Sequence, residues 1–90
     1  MITKYYNVYN YLEEQHTSDY YITYEYSYYY ICTNTDIIFN NLCIIQVKVD
    51  YDNYPKNNIN ILKKDVDFIM NCQDEDIIKL FILKLINERL

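Results

Sequence analysis

Glycine is missing from this chain altogether. Average usage near 7% would put roughly six in 90 residues. Phosphate-cradling loops, dinucleotide fingerprints and the sharp turn of an EF-hand all need backbone that a Cβ obstructs. Their absence removes the commonest nucleotide and calcium sites from consideration. Alanine is missing too, and proline and histidine occur once each, at Pro55 and His16. Asparagine takes over the punctuation, doubled at Asn40-Asn41 and Asn57-Asn58, because it tolerates the left-handed region best among residues with a side chain.

Basic residues are scarce where aromatics are dense. Residues 1–47 hold one base, Lys4, against five acids, Glu13, Glu14, Asp19, Glu25 and Asp36. Residues 48–90 hold seven bases and eight acids, and the net charge is −5. A duplex binder gathers Lys and Arg on one face; this tyrosine-rich half would repel phosphate. An acidic chain prefers a basic protein surface instead. The start, "MITKYYNVYN", has no hydrophobic targeting core, and the most apolar stretch, "IIKLFILKLI", is too short and too charged to span a bilayer. With an odd number of cysteines, Cys32, Cys43 and Cys72, these features suggest a cytoplasmic protein with reduced thiols and no membrane contact.

What the chain does have is tyrosine. Residues 20–33, "YYITYEYSYYYICT", place seven tyrosines in eleven positions. The abundance of Ile, Asn, Tyr and Lys resembles the product of an AT-rich gene, which accounts for part of that number. Apolar content of 51% argues against disorder, and the length suits one domain spanning residues 1–90.

Periodicity predicts the elements. Tyr5, Val8, Tyr9 and Leu12 make a helical stripe within Ile2 to Gln15, with Thr3 as a candidate N-cap. From Tyr20 to Cys32 the period becomes two, which reads as one long strand with even positions inward and odd positions outward. "TNTD" is turn chemistry, "IIF" a short strand, and Asn40-Asn41 a hairpin turn. In "LCIIQVKVDY", Cys43, Ile45, Val47, Val49 and Tyr51 face one way and Gln46, Lys48 and Asp50 the other. A helical stripe of Leu62, Val66, Ile69 and Met70 ends at Asn71, and Asp74 caps a last helix with Glu75 and Asp76 in its first turn. The expected fold is α+β: an N-terminal helix, a three-stranded antiparallel meander and two C-terminal helices covering one face of the sheet.

No catalytic or metal motif emerges. Cys32, Cys43, Cys72 and His16 lack any close CxxC spacing, and Cys32 and Cys43 fall on apolar sets of their strands, so no zinc is expected. His16 beside a Cys lacks the orienting group and oxyanion hole of a nucleophilic site. Asp50 with Asp52, and Asp65 with Asp67, read as surface charge. The sequence therefore points away from an enzyme or cofactor protein.

The leading expectation is a small acidic protein-interaction module, an inhibitor or adaptor occupying a basic surface of a partner protein. One concrete version is a phage- or mobile-element-encoded inhibitor of a nucleic-acid-processing host machine, an anti-CRISPR-like DNA mimic. Its recognition residues are expected to be the outward Tyr21, Glu25 and Tyr29 together with Asp50 and Asp52. One alternative is a single-stranded nucleic-acid binder that stacks bases on a tyrosine face. The other is a self-associating structural subunit: Leu80, Leu83 and Leu90, off the main apolar stripe of the last helix, nominate it for a homodimer contact.

Overall fold

The tyrosine run does not stay one strand. It folds back at Tyr26-Ser27, both with positive φ (49° and 70°), into strands β2 (Tyr20–Glu25) and β3 (Tyr28–Asn34). Positive φ at both central residues is the signature of a two-residue type I′ hairpin, whose twist matches that of the flanking strands. Asn-Gly is its usual sequence, and this chain has no glycine to offer. Tyr26 is therefore a hairpin tip, 86% exposed, where the period-two pattern had placed it inward.

The computed structural model of the protein describes residues 1–15, 19–34, 41–49 and 57–89. Their order is β1 (Ile2–Lys4), α1 (Tyr6–Glu14), β2, β3, β4 (Asn41–Lys48), β5 (Ile59–Ile61), α2 (Lys63–Asn71) and α3 (Glu75–Asn87). The five strands form one antiparallel sheet in the order β1-β4-β3-β2-β5. The centre of the sheet is a meander, β4-β3-β2, but not of the expected strands: the single strand expected over 20–32 supplies both β2 and β3, and a three-residue strand is added at each edge. Thr3, expected to cap a helix, instead pairs with Gln46, and α1 starts only at Tyr6. The expected strand at residues 37–39, the turn residue Asn40, and Tyr51 lie outside the described residues.

Register explains which side chains go where. Tyr20, Ile22 and Tyr24 oppose Thr33, Ile31 and Tyr29 across the hairpin, so the inward set switches from even to odd at the turn. A second irregularity lies in β4. Ile31 pairs with Ile45 but Cys32 pairs with Cys43, which leaves Ile44 as the extra residue of a β-bulge. Ile44 and Ile45 are both fully buried, and the alternation on either side of them is out of phase.

The helices cover the face bearing Ile22, Tyr29, Ile31, Ile45 and Val47. Leu12 of α1, Val66, Ile69 and Met70 of α2, and Ile78, Ile82, Leu85 and Ile86 of α3 share one apolar cluster with them. Leu62 is not part of the α2 stripe; it is the exposed N-cap position, and Asp65 reaches back to its N–H at 3.2 Å. That contact is half of a capping box. Asp74 caps α3 as expected, its Oδ1 accepting from Asp76 N–H at 2.9 Å and Ile77 N–H at 3.2 Å. The C-terminus of α2 meets a cation from the other end of the chain: Lys4 Nζ donates to the carbonyls of Met70 (3.2 Å) and Cys72. A cation there complements the negative end of the helix dipole.

Candidate functional site: the uncovered face of the sheet

The second face of the sheet carries no helix among the described residues. Pairing arranges its side chains in three rows that cross the strands. Glu25, Tyr28 and Lys48 form the first, next to the hairpin tip. Thr23, Tyr30, Gln46 and Thr3 form the second. Asn60, Tyr21, Cys32 and Cys43 form the third.

The tyrosines of this face differ in access. Tyr28 and Tyr30 are half-buried, and their rings lie 5.9 Å apart, tilted by 36°. Tyr21 is only 8% exposed although it lies on the uncovered face. Burial, followed by the neighbouring Cys32 and Cys43, raises its phenol above the ordinary tyrosine range. Tyr5 rims the face, its hydroxyl donating to Gln46 Oε1 at 3.0 Å. Charge is sparse: Glu25 and Lys48 are the charged members of the three rows.

Several sequence-based expectations change here. Tyr29, expected outward, is 1% exposed and packs edge-on against Tyr24 with ring centroids 5.7 Å apart. Tyr28 and Tyr30, expected inward, take its place on the uncovered face, because the hairpin turn reverses the parity. Tyr21 and Glu25 are on the expected face. Cys32 and Cys43 are not on the core face of the sheet: the turn reverses one and the bulge the other, so both sit in the third row. Asp50 and Asp52 lie outside the described residues, as do His16 and Leu90.

The last helix presents a separate apolar surface. Leu80 is 66% exposed and Leu83 half-buried. Beside them Ile77 is exposed, and Phe68 of α2 stacks on Phe81 at 4.5 Å. Phe68 and Ile77 are missed by a reading of the α3 pattern alone, because Ile77 looks like core stripe and Phe68 belongs to another helix.

Chemistry on the helix side is structural. Lys63 Nζ bridges Glu13 Oε1 of α1 (3.3 Å) and Asp67 Oδ2 of α2 (2.9 Å). Tyr9 donates to Asp67 Oδ1 at 2.7 Å, and burial with this hydrogen bond raises its phenol far above the usual range. A cleft of about 250 Å³ is lined by Lys4, Tyr6, Cys72 and Glu75 among others, but the Lys4 amine there is engaged by the α2 carbonyls. Among the described residues no three His, Cys, Asp or Glu side chains gather as a metal site would require, and no helix is long and apolar enough to cross a membrane.

Comparison with protein-family models, curated proteins and solved structures gives no match.

Proposed function

We propose that the protein is an interaction module that docks the uncovered face of its sheet on a basic protein surface, acting as an inhibitor or adaptor by occupancy. The observation that carries this reading is the one-sided placement of the helices: all three contribute to the core on one face, while the other face presents Tyr28 and Tyr30 partly open to solvent. Half-buried tyrosines with polar tips are the residues that anchor protein interfaces. Net charge of −5 favours a basic partner and speeds encounter with it. A phage- or mobile-element-encoded inhibitor of a nucleic-acid-processing machine is one form this role would take.

The test is affinity capture from the source cells by wild type and by the Tyr28→Ala/Tyr30→Ala double variant, followed by titration with the purified partner. A basic protein held by wild type and lost by the folded double variant supports the proposal. The expected cost is about 2 kcal/mol for a hot-spot ring. Glu25→Lys should slow association, with the effect shrinking as salt rises. Full binding by the double variant would move recognition elsewhere, for which the Leu80 surface of α3 is the next candidate. Tight, salt-sensitive binding of single-stranded DNA or RNA by the isolated protein would instead make the Tyr28–Tyr30 pair a base-stacking platform.

A further inference from the structure

Cys32 and Cys43 oppose each other across β3 and β4. Opposed residues of an antiparallel pair hold their Cα atoms about 4.5 to 5.5 Å apart. A disulfide spans Cα separations of about 4.4 to 6.8 Å. The bulge at Ile44 creates this opposition, since without the extra residue Cys43 would point to the helix side. The two side chains share one row of the same face and shift each other's ionisation in opposite directions, and the Cys43 S–H donates to the Ile45 carbonyl oxygen at 3.4 Å. Tyr21 is the cross-strand partner of Cys32 on β2, close enough that each side chain shifts the other's ionisation.

We propose that Cys32 and Cys43 form a thiol–disulfide exchange site that accepts a low-molecular-weight disulfide and closes to a cross-strand disulfide. Access and acidity assign the order of events. Cys43 is half-buried, whereas Cys32 is 7% exposed. The neighbouring Cys32 lowers the Cys43 thiol below its usual range against the opposing effect of burial, while Cys43 and burial raise Cys32. The Cys43 thiolate attacks one sulfur of the incoming disulfide, breaks its S–S bond and releases one small thiol. Cys32 then gives up its proton and attacks the Cys43 sulfur of the mixed disulfide, expelling the second small thiol. Two protein thiols are oxidised and one small disulfide is reduced to two thiols, with both protons carried by the products. Tyr21 is a positioning residue, its O–H donating to the Cys32 sulfur as that sulfur becomes anionic. Cys72 is an internal control: it follows α2 and contacts the Asp74 carbonyl oxygen at 3.7 Å. The site does not depend on whether the sheet face binds a partner.

The experiment treats reduced, purified full-length protein with oxidised glutathione without oxygen, quenches with an alkylating reagent, and reads intact mass and linked peptides. The expected result is loss of two of the three thiols, a Cys32–Cys43 linked peptide, no retained glutathione, and Cys72 alkylated. Cys32→Ser should stop at a glutathione adduct on Cys43, and Cys43→Ser should form no internal disulfide. Tyr21→Phe should still accept glutathione at Cys43 but resolve the adduct at least tenfold more slowly. If Cys32→Ser does not fold, the wild-type peptide map still decides. Three free thiols at excess oxidant, a stable glutathione adduct on wild type, or a link through Cys72 would each overturn the proposal.

Discussion

The two faces of the sheet are built from nearly the same residues and do opposite things. Tyr20, Tyr24 and Tyr29 lie under helices, and Tyr21, Tyr28 and Tyr30 lie on the other side, with neighbours in the chain split between the faces. Residue type therefore does not decide which face a ring joins here; strand register does. A tyrosine suits either place, since its ring buries like Phe while its hydroxyl can stay solvated or find a partner. The difference lies in the company each ring keeps. The helix face adds β-branched Ile and Val from the sheet and Ile, Leu and Met from three helices. The uncovered face adds Thr, Gln, Asn, Cys and one pair of opposite charges.

The most direct way to break this comparison is to truncate adjacent rings. Tyr29→Ala should cost about 3 to 5 kcal/mol, as removal of a fully buried aromatic does. Tyr30→Ala, one residue on, should cost less than about 1 kcal/mol, the scale of a cross-strand pair on a wet face. Urea melts of the two variants read the difference. Equal losses would mean that the parity switch at Tyr26-Ser27 is wrong.

That switch also marks where the sequence stopped being legible. The α+β class, the Asn71 stop and the Asp74 cap are written in local chemistry, and all three are present in the structure. The parity of the tyrosine run is not. Tyrosine stands at both odd and even positions from 28 to 30, so a reversal leaves no gap in the pattern. Tyr26-Ser27 also carries none of the Gly, Asn or Asp that announce a tight turn. The bulge hides in the same way: Ile44-Ile45 reads as unbroken apolar sequence whether or not one residue is extra. The turn moves Cys32 and the bulge moves Cys43 onto the same face, so their opposition is invisible until register is known. The edge strand β1 is too short, at three residues, to show a period against the helical stripe that follows it.

A second test asks whether the helix layer depends on the half-buried Tyr9 phenol. Tyr9→Phe removes the hydrogen bond to Asp67 and should cost about 1 kcal/mol at neutral pH. It should also change the alkaline limb. The Tyr9 phenol is raised from 10.0 by burial and by Asp67, and Tyr20 and Tyr21 are raised by burial. Below the unfolded value of about 10 both states keep their protons, and stability does not vary with pH through these groups. Above it the unfolded chain ionises first and binds fewer protons than the native state, so stability falls as pH rises. Unfolding free energies from pH 8 to 11.5 should turn downward near pH 10, less steeply in Tyr9→Phe. An unchanged slope in that variant would remove Tyr9 from the account.

The smallest expected effect lies at the hinge between the faces, and it is a gain. Tyr26 and Ser27 hold φ of 49° and 70°, a region where a bulky side chain is strained and Asn or Gly is not. Tyr26 is exposed and leaves little packing to lose. Substituting both, Tyr26→Asn with Ser27→Gly, supplies the usual type I′ pair and should stabilise by about 0.5 to 1 kcal/mol. The gain should not depend on what covers either face, because the strain is confined to the backbone of the turn. A matched substitution separates turn chemistry from entropy: Ser27→Ala keeps the positive φ without the freedom of glycine and should destabilise slightly. Thermal melts of the variants decide. A loss with Asn-Gly would mean that the tyrosine tip contributes contacts that its exposure does not reveal; a gain confirms that the turn, and with it the division of tyrosines between the two faces, is held against local preference by the pairing of β2 with β3.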